Sequence, residues 1–245
     1  MTPRFRRLNA ALILGLSLCG AQQSVAHKDD YIDETLVYLT VERGDWELEY
    51  WFDLGTLPSI DNQEAQLDFI RHNLAVEHGI TDHLMLDSRL TLDKVEGEAT
   101  EFESARLEGR LRFGEEGEHP IDIAASAEVN TERNDDGDQV FGLEPRLILS
   151  KDFRTKLNVT LNLPLEVQPG PGSVEFLPAA GLRFNAFESL RLGLEVSYGT
   201  ESGEGKFVPQ IWFAPTEGLI IKAAYAVGFD ANEQNFTRIA IETEF

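Results

Sequence analysis

The chain is 245 residues long and carries 43 acidic against 21 basic side chains, a net charge of −22 that leaves no basic surface for nucleic acid. A single cysteine excludes a disulfide framework.

Arg4, Arg6 and Arg7 precede an uncharged apolar run from Leu8 to Ala21. These are the n-region and h-region of a secretory signal peptide, and Ser24-Val25-Ala26 puts small residues where a signal peptidase reads them. The run falls short of the ~20 residues that a membrane-crossing helix needs. The expected organisation is therefore a leader over 1–26, an acidic periplasmic or lumen-associated segment over 27–44, and a barrel over 45–245. The leader holds three arginines and no acidic residue, so its removal moves the net charge from −22 to −25. It also removes Cys19, and bulky Leu18 before that cysteine argues against lipidation.

Cleavage after Ala26 makes His27 the first residue. Its amine and imidazole form a two-nitrogen chelate, with Asp29 and Asp30 close by, of a kind that suits copper, nickel or zinc. A solvated acidic tail is the simpler account of the same residues, and no other cofactor is expected. Residues 34–42 read as a thirteenth strand, which cannot span with both chain ends periplasmic and therefore extends the first wall strand, pairs in the periplasm, or folds into the lumen.

From Trp46 onward apolar residues recur at period two, with no sustained helical period, which makes the chain all-β. Leu84, Leu86, Leu90 and Leu92 alternate with Asp87, Arg89, Thr91 and Asp93. Ile121 to Val129 alternate with Asp122, Ser126 and Glu128. Leu157 to Val167 form an aliphatic row against Asn158, Thr160 and Asn162, and Leu190 to Tyr198 oppose Arg191, Gly193 and Glu195. Strands of a soluble sandwich run about five or six residues, whereas a tilted membrane-spanning strand needs ~9 to 11. These segments have the longer length, so the fold expected is a transmembrane up-and-down antiparallel β-barrel of about twelve strands.

The connections alternate in kind. Gly79 to Asp82, Asp152 to Thr155, Asn185 to Glu188 and Ala214 to Glu217 are tight. Asn134 to Asp138, Pro169 to Gly172, Thr200 to Gly205 and Asp230 to Glu233 are acidic or glycine-rich, as extracellular loops are. The hairpin repeat is roughly 35 residues. With a periplasmic C-terminus the strands fall near 45–54, 64–78, 82–94, 99–113, 120–132, 138–150, 155–168, 173–185, 189–199, 205–214, 218–229 and 234–245.

The last of these carries Thr237, Ile239, Ile241 and Thr243 on one face and ends on Phe245. A terminal aromatic closing an alternating strand resembles the signal by which Gram-negative outer-membrane barrels are recognised by the barrel-assembly machinery. Turns such as Gly79-Ile80-Thr81-Asp82, leading into a Leu-x-Leu strand, resemble those of porin-type barrels. The resemblance implies an outer-membrane location with both termini periplasmic and contact with lipid and lipopolysaccharide. It also implies passage of small solutes or ions.

The alternation turns Arg106, Arg110 and Arg112 to the lumen, because Leu107, Gly109, Leu111 and Phe113 make the other face apolar. Asp87, Asp93, Asp122, Glu128, Arg191 and Glu195 share that lumen. Such rows either form salt bridges that close a narrow barrel or flank a pore and orient a charged solute. Twelve strands leave an interior between a filled eight-stranded barrel and a sixteen-stranded porin, so a narrow channel is expected, with a closed structural or adhesive barrel as the alternative. No His-x-Ser pair is present, so an enzyme is not expected. His72 falls on the side of Ile70, Leu74 and Val76, and reads as lipid-facing or out of register.

Overall fold

A computed structural model describes residues 30–56, 69–95, 97, 99–133, 137–153, 156–167, 174–229 and 235–245. Residues 1–29, including His27 and Asp29, lie outside them. The described residues form thirteen strands and no helix. They are β1 (Trp46–Thr56), β2 (Phe69–Thr81), β3 (Leu84–Val95), β4 (Glu101–Arg112), β5 (Asp122–Arg133), β6 (Gln139–Phe153) and β7 (Leu157–Val167). After them come β8 (Val174–Phe176), β9 (Ala179–Phe187), β10 (Leu190–Tyr198), β11 (Gly205–Thr216), β12 (Leu219–Gly228) and β13 (Asn235–Glu244).

Every strand pairing is antiparallel and joins neighbours in sequence, except that β7 also pairs with β9 past the short β8 and that β1 pairs with β13 from Glu47↔Glu244 to Thr56↔Asn235, which closes the barrel. The backbones of Trp46 and Phe245 extend this seam with two hydrogen bonds of 2.9 Å each. Closure removes all sheet edges, the requirement for strands in hydrocarbon.

The segment 173–185, expected as one strand, is interrupted. β8 and β9 pair with β7 in a common register, Leu165↔Phe176 and Asn162↔Ala179, but Leu177 and Pro178 separate them. Pro178 has no N–H to give the ladder. β8 thus continues β9 within one wall position, and the wall has twelve positions.

Pleating sends alternate side chains to lipid and lumen. Leu107 is 50% exposed and Phe141 67%, whereas Trp212 is 0% and Arg110 1%. The outside is a band of Leu, Ile, Val and Phe and the inside is charged and amidic, the pattern of a membrane barrel. His72 stands on the outer face, where its Nδ1 meets the Tyr50 hydroxyl at 2.8 Å. One end of the barrel, here the near end, carries Asp45, Phe245 and the connections after β2, β4, β6, β9 and β11. The far end carries the rest.

Residues 30–42 run inside the barrel and supply the apolar side chains around which it packs. Ile32 joins Trp51, Phe69, Val208 and Phe236. Tyr31 and Val37 join Trp212 and Ile220, and Leu36 and Tyr38 join Ala124 and Ile148. Tyr31 meets Trp212 edge to face, with centroids 5.7 Å apart. Burying side chains of this size stabilises by roughly 1.5–3 kcal/mol each. Two wall glycines make room: a Cβ on Gly181 would sit 2.5 Å from the Tyr31 ring, and one on Gly79 would sit 1.8 Å from the Glu42 carbonyl.

Candidate functional site: a plugged lumen

The internal segment is a bent loop. Tyr31 N–H donates to the Thr35 carbonyl and Val37 N–H to Asp30 Oδ1 at 2.6 Å, which turns the chain back at Ile32 to Thr35. The returning limb descends to the near end, where Gly44 and Gly79 are hydrogen-bonded at 2.8 Å.

Wall side chains hold this plug largely by its backbone. Glu195, wholly buried, accepts from the amides of Asp33 at 3.1 Å, Glu34 at 2.6 Å and Thr35. Gln210 Oε1 accepts from Ile32 N–H at 2.9 Å. Asn162 takes Leu36 N–H at 3.0 Å and returns its own Nδ2–H to the Leu36 carbonyl at 2.8 Å. Arg110 donates to the carbonyls of Val37 and Leu39, Arg146 to Glu34, Lys222 to Asp30 and Arg238 to Ile32. The plug carboxylates are paired as well: Asp30 makes a two-pronged contact with Arg110 at 3.0 and 3.1 Å, and Asp33 lies 3.5 Å from Arg238. Both Asp30 oxygens are thereby engaged.

The low-dielectric interior around Glu34 opposes its ionisation. Lys206, Arg146, Arg106 and Arg238 more than offset that and hold its carboxyl below the usual carboxylate range.

The wall itself carries an ordered charge pattern. Glu47↔Glu244, Glu47↔Glu77, Glu77↔Asp87, Asp87↔Glu108, Glu108↔Glu128 and Glu128↔Glu144 are direct cross-strand pairs. The register of Leu143↔Val167 and Arg146↔Pro164 sets Glu166 opposite Glu144, and Glu166 pairs with Glu175. Because the strands tilt, this line of carboxylates climbs from the near rim at Glu47 to the far rim at Glu175. Like charges directly opposite are destabilising. Arginines one inward position away offset them: Arg89 on Asp87 at 3.5 Å, Arg110 on Glu108 at 3.0 Å, Arg146 on Glu144 at 2.6 Å and Arg106 on Glu128 at 3.8 Å.

The residues read from the sequence as lumenal stand as follows. Arg106, Arg110 and Arg112 share the inner face of β4 with Glu108. Arg112 reaches the near-end turn, donating to the Asp82 carbonyl at 2.7 Å and to Glu115 at 3.0 Å. Asp93 binds Arg71 at 2.6 and 2.7 Å, and Asp122 accepts from Gly117 N–H at 2.9 Å. Arg191 is half-buried on the inner side of β10 with Glu195. Asn162 stands on the polar face expected of its strand, whereas Gln210, Lys222 and Arg238 were not anticipated from the sequence, although Lys222 is the one charged residue on a β12 face that otherwise carries Ile220, Ala224 and Ala226.

Two connected cavities lie above the plug apex. One, of about 280 Å³, is bounded by Trp51, Asn73, Arg89 and Arg238 on the wall and by Asp33 and Glu34 of the plug. The other, of about 240 Å³, is bounded by Glu128, Glu144, Glu166 and Glu175, and the two share Glu34, Arg106, Glu132 and Lys206.

No family model matches the chain. No curated protein matches it either. Among solved structures it is similar to the KdgM porin, with a TM-score of 0.60 at 11% identity, covering 81% of this chain and 99% of that one. A structure of the KdgM porin in complex with disordered oligogalacturonate gives 0.60 at 10% identity over the same shares. An outer-membrane channel from Pseudomonas putida F1 gives 0.58 at 14% identity, covering 85% of this chain and 98% of that one. The fold is therefore that of porin-type membrane barrels.

Proposed function

We propose that the protein is an outer-membrane channel for small solutes, closed by its own residues 30–42 in the arrangement described. The observation that carries this reading is the plug's attachment: polar contacts to its backbone, in a lumen that is charged rather than apolar. A lumen lined by charged and amide side chains stays hydrated when the loop moves, since water replaces each hydrogen bond at a small net cost, on the order of 1 kcal/mol. The porin-type fold and the wall of twelve positions support a narrow passage. The short connections support a periplasmic near end, so that the plug leaves the lumen toward the periplasm.

Planar-bilayer recording of refolded protein tests the proposal. The intact chain is expected to show rare, small conductance steps, and a variant lacking residues 30–42 to show larger, long-lived ones. A silent bilayer for both would favour a closed structural barrel.

A further inference from the structure

His72 is a polar residue of the outer face that neither the plug nor the lumen accounts for. Its neighbours on that face are Ile70 and Leu74 along β2, Phe52 opposite it on β1 and Leu92 opposite it on β3. A histidine so surrounded faces hydrocarbon, and ionisable residues in that setting are rare and mark a function. Its polar contact among the described residues is the Tyr50 hydroxyl, 2.8 Å from Nδ1, with the two rings 6.2 Å apart and 22° from parallel. His78, the other histidine of β2, differs on both counts. It stands at the near rim, stacked on Trp46 at 4.0 Å, and its Nδ1 meets the Asp45 carbonyl at 3.0 Å.

Tyr50, 40% exposed, and His72 satisfy each other only in part. A neutral imidazole carries one donor and one acceptor, and a phenol hydroxyl both donates and accepts. If the hydroxyl donates to Nδ1, the Nε2–H remains as donor and the phenol oxygen as acceptor. In the other tautomer the hydroxyl remains as donor and Nε2 as acceptor. Either way the pair keeps one donor and one acceptor on adjoining rings of the outer face. Hydrocarbon offers a partner to neither. The oxygens of lipid headgroups lie at the edges of the apolar band, whereas the row of Phe52 and His72 falls midway along β1. A donor beside an acceptor is self-complementary. What satisfies both at once is the same pair turned by 180°, as in an isologous interface. Phe52, Ile70, Leu74 and Leu92 then supply the apolar contact around the four rings.

We propose that this outer face of β1 and β2 pairs with a second copy of the chain. A closed ring of four hydrogen bonds joins Tyr50 and His72 to the partner's Tyr50 and the partner's His72 about a two-fold axis. The pairing goes beyond the channel reading and does not depend on conduction.

Sedimentation equilibrium of the refolded full-length barrel in density-matched micelles, over a wide range of protein-to-detergent ratio, is expected to show a monomer–dimer equilibrium. His72→Leu and Tyr50→Phe are each expected to weaken the dimer at least tenfold. Both barrels are expected to remain heat-modifiable, because leucine and phenylalanine suit hydrocarbon better than the residues they replace. Leu74→Cys, at the position that the register sets opposite Tyr50, is expected to cross-link to itself with a short bismaleimide in the membranes of expressing cells. Leu161→Cys, on β7 at the opposite side of the wall, and the parent chain are expected not to. A parent that stays monomeric throughout would overturn the proposal, as would a dimer that both variants leave at its parental strength. A monomer that loses a bound lipid on His72→Leu would give the face to lipid, and a Leu74→Cys cross-link to a different protein would give it to another partner. Either result overturns self-pairing.

Discussion

Asn162 holds Leu36 from both sides, accepting its amide at 3.0 Å and donating to its carbonyl at 2.8 Å. One wall side chain thus satisfies the polar backbone of a plug residue as a neighbouring strand would. Replacing Asn162 by Ala strands both groups, at about 1–3 kcal/mol for each. The expected result is faster hydrogen exchange at the Leu36 amide and longer channel openings, with the wall strands unchanged. Equal protection in variant and parent would show that the plug is held elsewhere.

Arg110 is the wall cation most committed to the plug, with Asp30 and Glu108 both within 3.1 Å. Arg110→Met leaves two buried carboxylates without their partner and is expected to cost roughly 3–5 kcal/mol. Arg110→Glu should be worse, by adding a third. Asp30→Asn combined with Arg110→Met should recover part of the loss, because the pair is coupled. Urea unfolding of the refolded barrels measures the cycle, and strict additivity would remove the salt bridge from the account.

Glu34 makes the plug sensitive to acid. Its folded carboxyl titrates below the ordinary value of 4.5, so its contribution is fully present above that value and is lost as pH falls through the lowered one. Protease sensitivity of the segment 30–42 should therefore rise on acidification below the ordinary carboxylate range. Glu34→Gln should flatten that rise. An identical pH profile in the variant would assign the effect to another group.

Phe245 supplies both hydrogen bonds by which the last residue meets Trp46. Deleting it should lower the amount of heat-modifiable barrel in the membrane fraction, through loss of the seam's end and of the terminal aromatic. Undiminished amounts would separate closure from this residue.

The wall was legible because alternation is local: two faces of a strand differ in character whatever lies next to it. Pro178 within 173–185 was a visible sign of the break in that strand. The plug contacts could not be read, because they join residues far apart in sequence, Asp30 to Lys222 and Ile32 to Arg238. Yet the segment differs from a wall strand in one respect. Leu36, Val37, Tyr38, Leu39 and Val41 leave it no polar face, as befits a segment surrounded on every side. The climbing line of carboxylates was hidden for another reason. Each acidic residue was visible, but their alignment depends on pairing registers.

The position of the plug also orders events in biogenesis. Among the described residues the plug is synthesised first, whereas the seam is shut by the last strand, β13, and by Phe245. Its polar partners lie on β4, β6, β7, β10, β11, β12 and β13, so most of its hydrogen-bonding surface does not exist until nearly all of the chain has arrived. Such distant contacts form slowly. A nascent barrel must therefore carry its internal loop as a waiting passenger, and a defect in docking would surface as a late, membrane-embedded intermediate rather than as a failure of insertion.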